Sequence, residues 1–297
     1  VMMARASGMG HADLMAVLYC GSTKSLATGL PMATVLFAGH PVGLIVLPLM
    51  IFHQIQLITC AMLAGIDGVS AHFSRFKVTE IALSEQALRQ FDASEILRAA
   101  ELLAHAKVDV IAWNGTSASW LGFDRDESLC EQITAATGIK ACTTVLAYRD
   151  LLRRIGAGRI GLVTPYRRDV QDKIIANWNS EGLNCFAERH LSLQDNFSFA
   201  EVSEAEVAAL IEEVVRDGCD AAVVLCTNMR GAGAAERLER GFGVPVLDSI
   251  AVTLWACLTA TGCDPSRVHG WGSLFTNPDL RAVTAIPEHN DDDEGER

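Results

Sequence analysis

Two stretches of this chain carry the same layout 111 residues apart, and an internal repeat of this kind restricts the fold more than composition does. Lys107-Val108-Asp109-Val110-Ile111-Ala112-Trp113-Asn114-Gly115-Thr116-Ser117 lies over the stretch that ends Val224-Leu225-Cys226-Thr227-Asn228. The shift takes Asp109 to Asp220, Gly115 to Cys226 and Thr116 to Thr227. It also places Ile96, Ala100 and Leu103 on Val207, Ile211 and Val214, apolar positions at helical spacing. Each copy therefore reads as a helix, a short turn and a strand ending in a small residue followed by Thr. The apolar run Ala221–Val224 between polar residues is the pattern of a parallel strand buried on both faces. Downstream, Thr137-Gly138-Ile139-Lys140-Ala141 resembles Phe242-Gly243-Val244-Pro245-Val246, and upstream Gly43–Val46 resembles Gly161–Thr164. The expectation is an α/β fold of two pseudo-symmetric domains, each a mostly parallel sheet flanked by helices. Ligands of open α/β sheets bind beyond the carboxyl ends of the strands, which places the active site in the cleft between the domains.

The 297 residues suit two such units. Residues 42–158 form the first expected domain, 159–248 the second, and 249–285 a segment packing back on the first. Residues 1–41, with Arg5, Asp13 and Lys24 as their only charges, read as a poorly ordered extension, and 286–297 as an acidic, disordered tail. Gly43–Ile66 contains no Asp, Glu, Lys or Arg and could be taken for a membrane span. Pro48, His53, Gln54 and Gln56 interrupt it, and the repeat assigns Gly43–Leu47 to a strand. Val69–Phe76 reads as a further strand. Helices are expected over Ser94–Ala106, Asp126–Thr137, Val145–Ile155, Arg167–Glu181, Ser203–Asp217, Gly231–Gly241 and Ser249–Thr261. Ser203 with Glu206 has capping-box spacing. Strands are expected over Val108–Trp113, Arg159–Val163, Cys185–Leu191 and Val244–Leu247.

The net charge of −12 with no basic stripe argues against nucleic acid as a partner. The nine cysteines are scattered, without Cys-x-x-Cys pairs or zinc-type spacing, as expected of a cytoplasmic chain without disulfides or a metal site. Gly231-Ala232-Gly233 lacks the third glycine of a dinucleotide fingerprint. No cofactor and no membrane partner are expected, and an oligomer remains open. Asp109 and Asp220 read as organisers of the turn before each strand. Arg167 and Arg230 read as surface charges, with attraction of a dianion as the alternative.

Four motifs, Asn114-Gly115-Thr116-Ser117-Ala118-Ser119, Ala141-Cys142-Thr143-Thr144, Val163-Thr164-Pro165-Tyr166 and Leu225-Cys226-Thr227-Asn228, resemble the aspartate/glutamate racemase superfamily in its arylmalonate decarboxylase and maleate cis-trans isomerase branch. The resemblance covers about residues 42–280. It implies two pseudo-symmetric α/β domains, no cofactor, and chemistry on a carbon next to a carboxylate. Racemases and isomerases of the superfamily carry a cysteine at each of the two strand ends. Here Gly115 takes the first place, as in the decarboxylase, and Cys226 alone remains. Thr227-Asn228-Met229-Arg230 looks more like the isomerases, whereas Leu47-Pro48-Leu49-Met50 looks more like the proline-containing apolar loop of the decarboxylase.

A two-base racemase needs an acid/base on each face of the α-carbon, and one thiol cannot supply both. Decarboxylation of a substituted malonate leaves an enediolate that a single thiol can protonate. The expected function is therefore a cofactor-independent decarboxylase of a substituted malonate-type dicarboxylate. The alternatives are a maleate cis-trans isomerase or Asp/Glu racemase-like isomerase, a non-catalytic small-carboxylate binding protein, and a membrane-anchored protein resting on residues 43–66 alone. Cys226 is the catalytic candidate. Thr116, Ser117, Tyr166, Gly115, Thr227, Asn228 and Pro48 are the candidates for binding the substrate and its developing oxyanion.

Overall fold

A computed structural model of the chain describes residue 66 and residues 68–76 and 78–278. The expected extension 1–41, the strand Gly43–Leu47, the loop with Pro48 and the acidic tail lie outside the described residues. The helices are α1 (Glu85–Leu88), α2 (Ala93–Ala104), α3 (Ala118–Leu121), α4 (Phe123–Thr137), α5 (Thr144–Arg154), α6 (Arg168–Ser180), α7 (Ser198–Glu201), α8 (Glu204–Arg216), α9 (Ala232–Phe242), α10 (Ser249–Ala260) and α11 (Ser273–Thr276). The strands are β1 (Ile111–Trp113), β2 (Ala141–Thr143), β3 (Ile160–Thr164), β4 (Cys185–His190), β5 (Ala221–Val224) and β6 (Val246–Asp248).

These strands form two wholly parallel sheets: β1 beside β2, and a four-stranded sheet in the order β4-β3-β5-β6. The two copies of the repeat are visible in them. β1 leads into α3 and α4 and pairs with β2, as β5 leads into α9 and pairs with β6. Every residue of β3 and β5 is buried, which explains the apolar run of β5 and of β3 up to Thr164, whose hydroxyl donates to Gln171. α5 packs on α10, and α10 also packs against β1, β2 and β6. Most of the buried side chains, including Trp178, Tyr148 and Phe199, belong to one large cluster. A smaller cluster of Ile96, Ala100, Ile111, Leu129 and Ile133 lies between α2, β1 and α4.

Local chemistry sets the helix ends. Ser203 and Glu206 form the expected capping box of α8. Gly138 ends α4 in the left-handed region at φ 71°, a conformation that disfavours side chains. Thr143 and Asp248, the last residues of β2 and β6, each cap the helix that follows.

One expected element is absent. Val69–Phe76 is not a strand; it has no regular secondary structure and no ladder partner among the described residues. Its apolar residues Val69, Phe73 and Phe76 are half-buried, while Ser70, His72 and Arg75 are exposed. The alternation that suggested a strand is thus real, but it serves the wall of a cavity. Among the described residues, antiparallel pairing in this neighbourhood is limited to the single bridge between Glu80 and Asp195.

Candidate active site

The carboxyl ends of β1 and β5 open into one cavity of about 720 Å³, in the size range of small-molecule sites. Gly115, Thr116, Ser117, Tyr166, Cys226, Thr227 and Asn228 all line it. Seven of the eight residues singled out in the sequence are thereby brought together; Pro48 lies outside the described residues. Arg167 and Arg230 do not line this cavity. Arg167 donates to Gln194, and Arg230 donates to the carbonyls of Ala200 and Val202. Asp220 is expected to organise the turn before its own strand, β5; its carboxylate instead accepts from the backbone of Gly158 and Arg159 and ties the turn before the neighbouring strand β3.

Cys226 lies two residues beyond the end of β5 and is 3% exposed. Burial pushes its thiol up to about 11, against the opposing pull of the Asn228 N–H, the Tyr166 hydroxyl and the Met229 N–H. The Asn228 N–H donates to Cys226 Sγ at 3.4 Å. At neutral pH the group is a thiol, surrounded by donors that would stabilise the thiolate left after it gives up its proton.

Tyr166 links the two strand ends. Its hydroxyl lies 2.9 Å from Thr116 Oγ1, beyond β1, and also hydrogen-bonds the Cys226 side chain. Trp120 and Phe199 meet its ring edge-on at centroid distances of 5.4 and 5.5 Å, which fixes its orientation. Burial holds the phenol well above its usual range, so it remains a proton-bearing donor. Thr116 and Ser117 are buried at the head of α3.

The main chain before Cys226 is anchored from the other repeat. Tyr148 of α5 is completely buried, and its hydroxyl is placed to donate to Val224 O at 3.0 Å or Leu247 O at 3.1 Å. Ser249 Oγ donates to Val224 O as well, at 2.9 Å. Asp248 accepts from the N–H groups of Gly231, Ile250 and Ala251, and burial raises its carboxyl to about 6.

Three features of the cavity escaped the sequence reading. Asn196 lines it, accepts from Asn228 Nδ2 at 2.8 Å and donates to Val78 O at 3.2 Å, tethering the Asn228 loop to the chain beyond Phe76. Asn114 Oδ1 accepts from Thr253 of α10 at 3.0 Å. Trp113 lies against Gly115: a Cβ built on Gly115 would stand 2.2 Å from Trp113 Cζ2. None of the three had a local signal in the sequence, since Gly115 lies two residues beyond the last strand residue, Trp113. Among the described residues no cluster of His, Cys, Asp or Glu could hold a metal ion, and no helix is long and apolar enough to cross a membrane.

Residues 69–275 match the arylmalonate decarboxylase family model. The chain belongs to the arylmalonate decarboxylase family. It is 28% identical to the arylmalonate decarboxylase of Bordetella bronchiseptica over 169 residues, 56% of this chain and 70% of that protein. The fold superimposes with a TM-score of 0.69 on a cysteine-to-alanine variant of the maleate isomerase of Pseudomonas putida S16 solved with maleate. That match is at 25% identity and covers 76% of this chain and 94% of the other. The aspartate/glutamate racemase-type architecture is thereby established, in the branch that holds both enzymes. Residues 1–66 match a different model, the SBF-like CPA transporter family. They are 56% identical over 64 residues to YfeH of Escherichia coli, named as a symporter. The chain spans about a fifth of that relative's length. The two matches meet between residues 66 and 69, whereas composition placed a boundary at 41–42.

Proposed function

We propose that this chain is a cofactor-independent decarboxylase of a substituted malonate, with Cys226 as the proton donor. The observation that carries this reading is the asymmetry of the two strand ends. One bears a buried, protonated thiol and the other bears Gly115.

In the proposed reaction the bond between the α-carbon and one carboxylate breaks. CO₂ leaves, and the bonding electron pair stays on the substrate as an enediolate. With Asn228 committed to Asn196 and Cys226, the hydroxyls of Thr116, Ser117 and Tyr166 are the candidate partners of the remaining carboxylate. Their hydrogen bonds strengthen as charge moves onto its oxygens, a contribution of about 3 to 4 kcal/mol per well-placed donor. The Cys226 S–H then protonates the α-carbon. The resulting thiolate is held by the Asn228 and Met229 N–H groups and the Tyr166 hydroxyl until it takes a proton back from water. Because Cys226 lies on one side of the cavity, the product has one hand.

The second reading is isomerisation of a small unsaturated dicarboxylate. It is favoured by the superposition on maleate isomerase and by the polar pair Asn196–Asn228 in the cavity. Incubation without added cofactor with a series of α-substituted malonates and with maleate separates the two. CO₂ release with formation of the monoacid is expected; conversion of maleate to fumarate without CO₂ would replace the decarboxylase reading.

A further inference from the structure

Trp113 closes β1, and Gly115 lies two residues beyond the end of that strand. A Cβ on Gly115 would lie 2.2 Å from Trp113 Cζ2, 2.4 Å from Cε2 and 2.8 Å from Cη2. Real side chains do not approach so closely, so the six-membered ring of the indole fills the space into which any side chain at position 115 would project. The ring is braced: the Phe76 ring lies 5.3 Å away at 32°, and the Trp113 carbonyl accepts from Thr144 Oγ1 at 3.4 Å. Trp113 and Cys226 line the same cavity, and the repeat pairs Gly115 with Cys226 as the two strand ends facing it.

We propose that Trp113 is the specificity-determining residue of the site. Its ring closes the face of the reacting carbon opposite Cys226. It keeps water and any second donor from that face and confines protonation to one side. The stereochemical half of this proposal rests on the decarboxylase reading; the steric half does not. In wild type the new C–H bond takes its proton from the Cys226 S–H. With the wall removed and a thiol supplied by Gly115→Cys, the enediolate can take a proton from either side, each donor becoming a thiolate that water reprotonates.

The test compares wild type, Trp113→Ala, Gly115→Cys and the double variant, with Trp113→Phe as a milder opening of the wall should the alanine variant fold poorly. Melting temperature is expected to be non-additive, with Gly115→Cys costing more in the Trp113 background than beside Trp113→Ala. Intact-mass titration with methyl methanethiosulfonate should label the introduced thiol at least tenfold faster in the double variant. Decarboxylation in D₂O, followed by chiral chromatography, should give one enantiomer from wild type, eroded optical purity from Trp113→Ala or Trp113→Phe, and near-racemic product from the double variant. Additive melting temperatures with equal labelling in both backgrounds would show that the ring does not fill the place of a side chain and would overturn the proposal. So would unchanged optical purity in a folded, active Trp113→Ala. If wild type releases no CO₂ from any malonate, the decarboxylase reading falls, and the stability and labelling comparisons still decide whether Trp113 occupies that place.

Discussion

The end of β5 and the end of β1 are two copies of one motif, and they differ in what they bring to the cavity. The β5 end presents Cys226 two residues beyond a fully buried strand, with backbone N–H groups of the following turn directed at its sulfur. The β1 end presents Gly115, covered by an indole, and then the hydroxyls of Thr116 and Ser117. In the proposed reaction one end gives the proton and the other holds the developing charge. A duplicated scaffold can thus divide acid/base work and binding between its halves, with Tyr166 touching both through Thr116 and Cys226.

The comparison breaks most decisively at the thiol. Cys226→Ala should lower malonate turnover by about 10²–10⁴-fold, the usual contribution of a positioned proton donor, with an unchanged circular dichroism spectrum. Activity within threefold of wild type would move the donor to another group. The pH profile sharpens the same point. The folded thiol loses its proton only near pH 11, so donation predicts a rate that is level through neutral pH and falls as pH approaches 11. A rate that climbs with pH would mean that the thiolate is the active form, as a nucleophilic isomerase would require.

A smaller effect is expected at the bridge. Tyr166→Phe should cost about 1–3 kcal/mol of transition-state stabilisation, since it removes a donor and leaves Thr116 Oγ1 and Cys226 Sγ without their shared partner. The expected readout is a fall in kcat. If only the melting temperature drops, the phenol is structural.

The smallest effect on turnover belongs to a carboxyl away from the cavity. Asp126 of α4 is 2% exposed, and its Oδ2 has no hydrogen-bond partner among the described residues. Burial raises it to about 7, only partly offset by a hydrogen bond from Thr143. The unfolded chain releases this proton near pH 4, while the folded chain keeps it to about pH 7. Stability is therefore lost as pH rises through that window, by up to about 4 kcal/mol at ~1.4 kcal/mol per pH unit. Asp126→Asn should raise the melting temperature at pH 8 and change it little near pH 4, with turnover unaltered. Asp248, with three N–H donors on its carboxylate, titrates lower, at about 6.

Much of this was legible in the sequence because it rests on periodicity and caps. Val207, Ile211 and Val214 mark the buried face of α8, the Ser203 and Glu206 pair marks its start, and the 111-residue shift brings Gly115 and Cys226 into one cavity. What was not legible depends on the third dimension. Nothing local tells Val69–Phe76 that it has no partner strand among the described residues, because the same alternation serves a strand and a cavity wall. Asn196 reads as an ordinary turn residue until Asn228 is seen to donate to it. Trp113 looked like the last apolar residue of a buried strand, and only the distance to Gly115 reveals that it excludes a side chain there.

The grip of Tyr148 on the carbonyl of Val224 has a practical corollary. The residue that fixes the approach to Cys226 lies before the Gly156–Gly158 turn, and the thiol itself lies after it. A chain cut in that turn would yield an amino-terminal piece with Thr116 and Ser117 but without Cys226, and a carboxyl-terminal piece in which Tyr148 no longer holds the main chain before Cys226. Neither fragment should show activity alone. Mixed together they should recover it with second-order dependence on concentration, so that turnover becomes an assay of reassembly and the protein a reporter for any two partners fused to its halves.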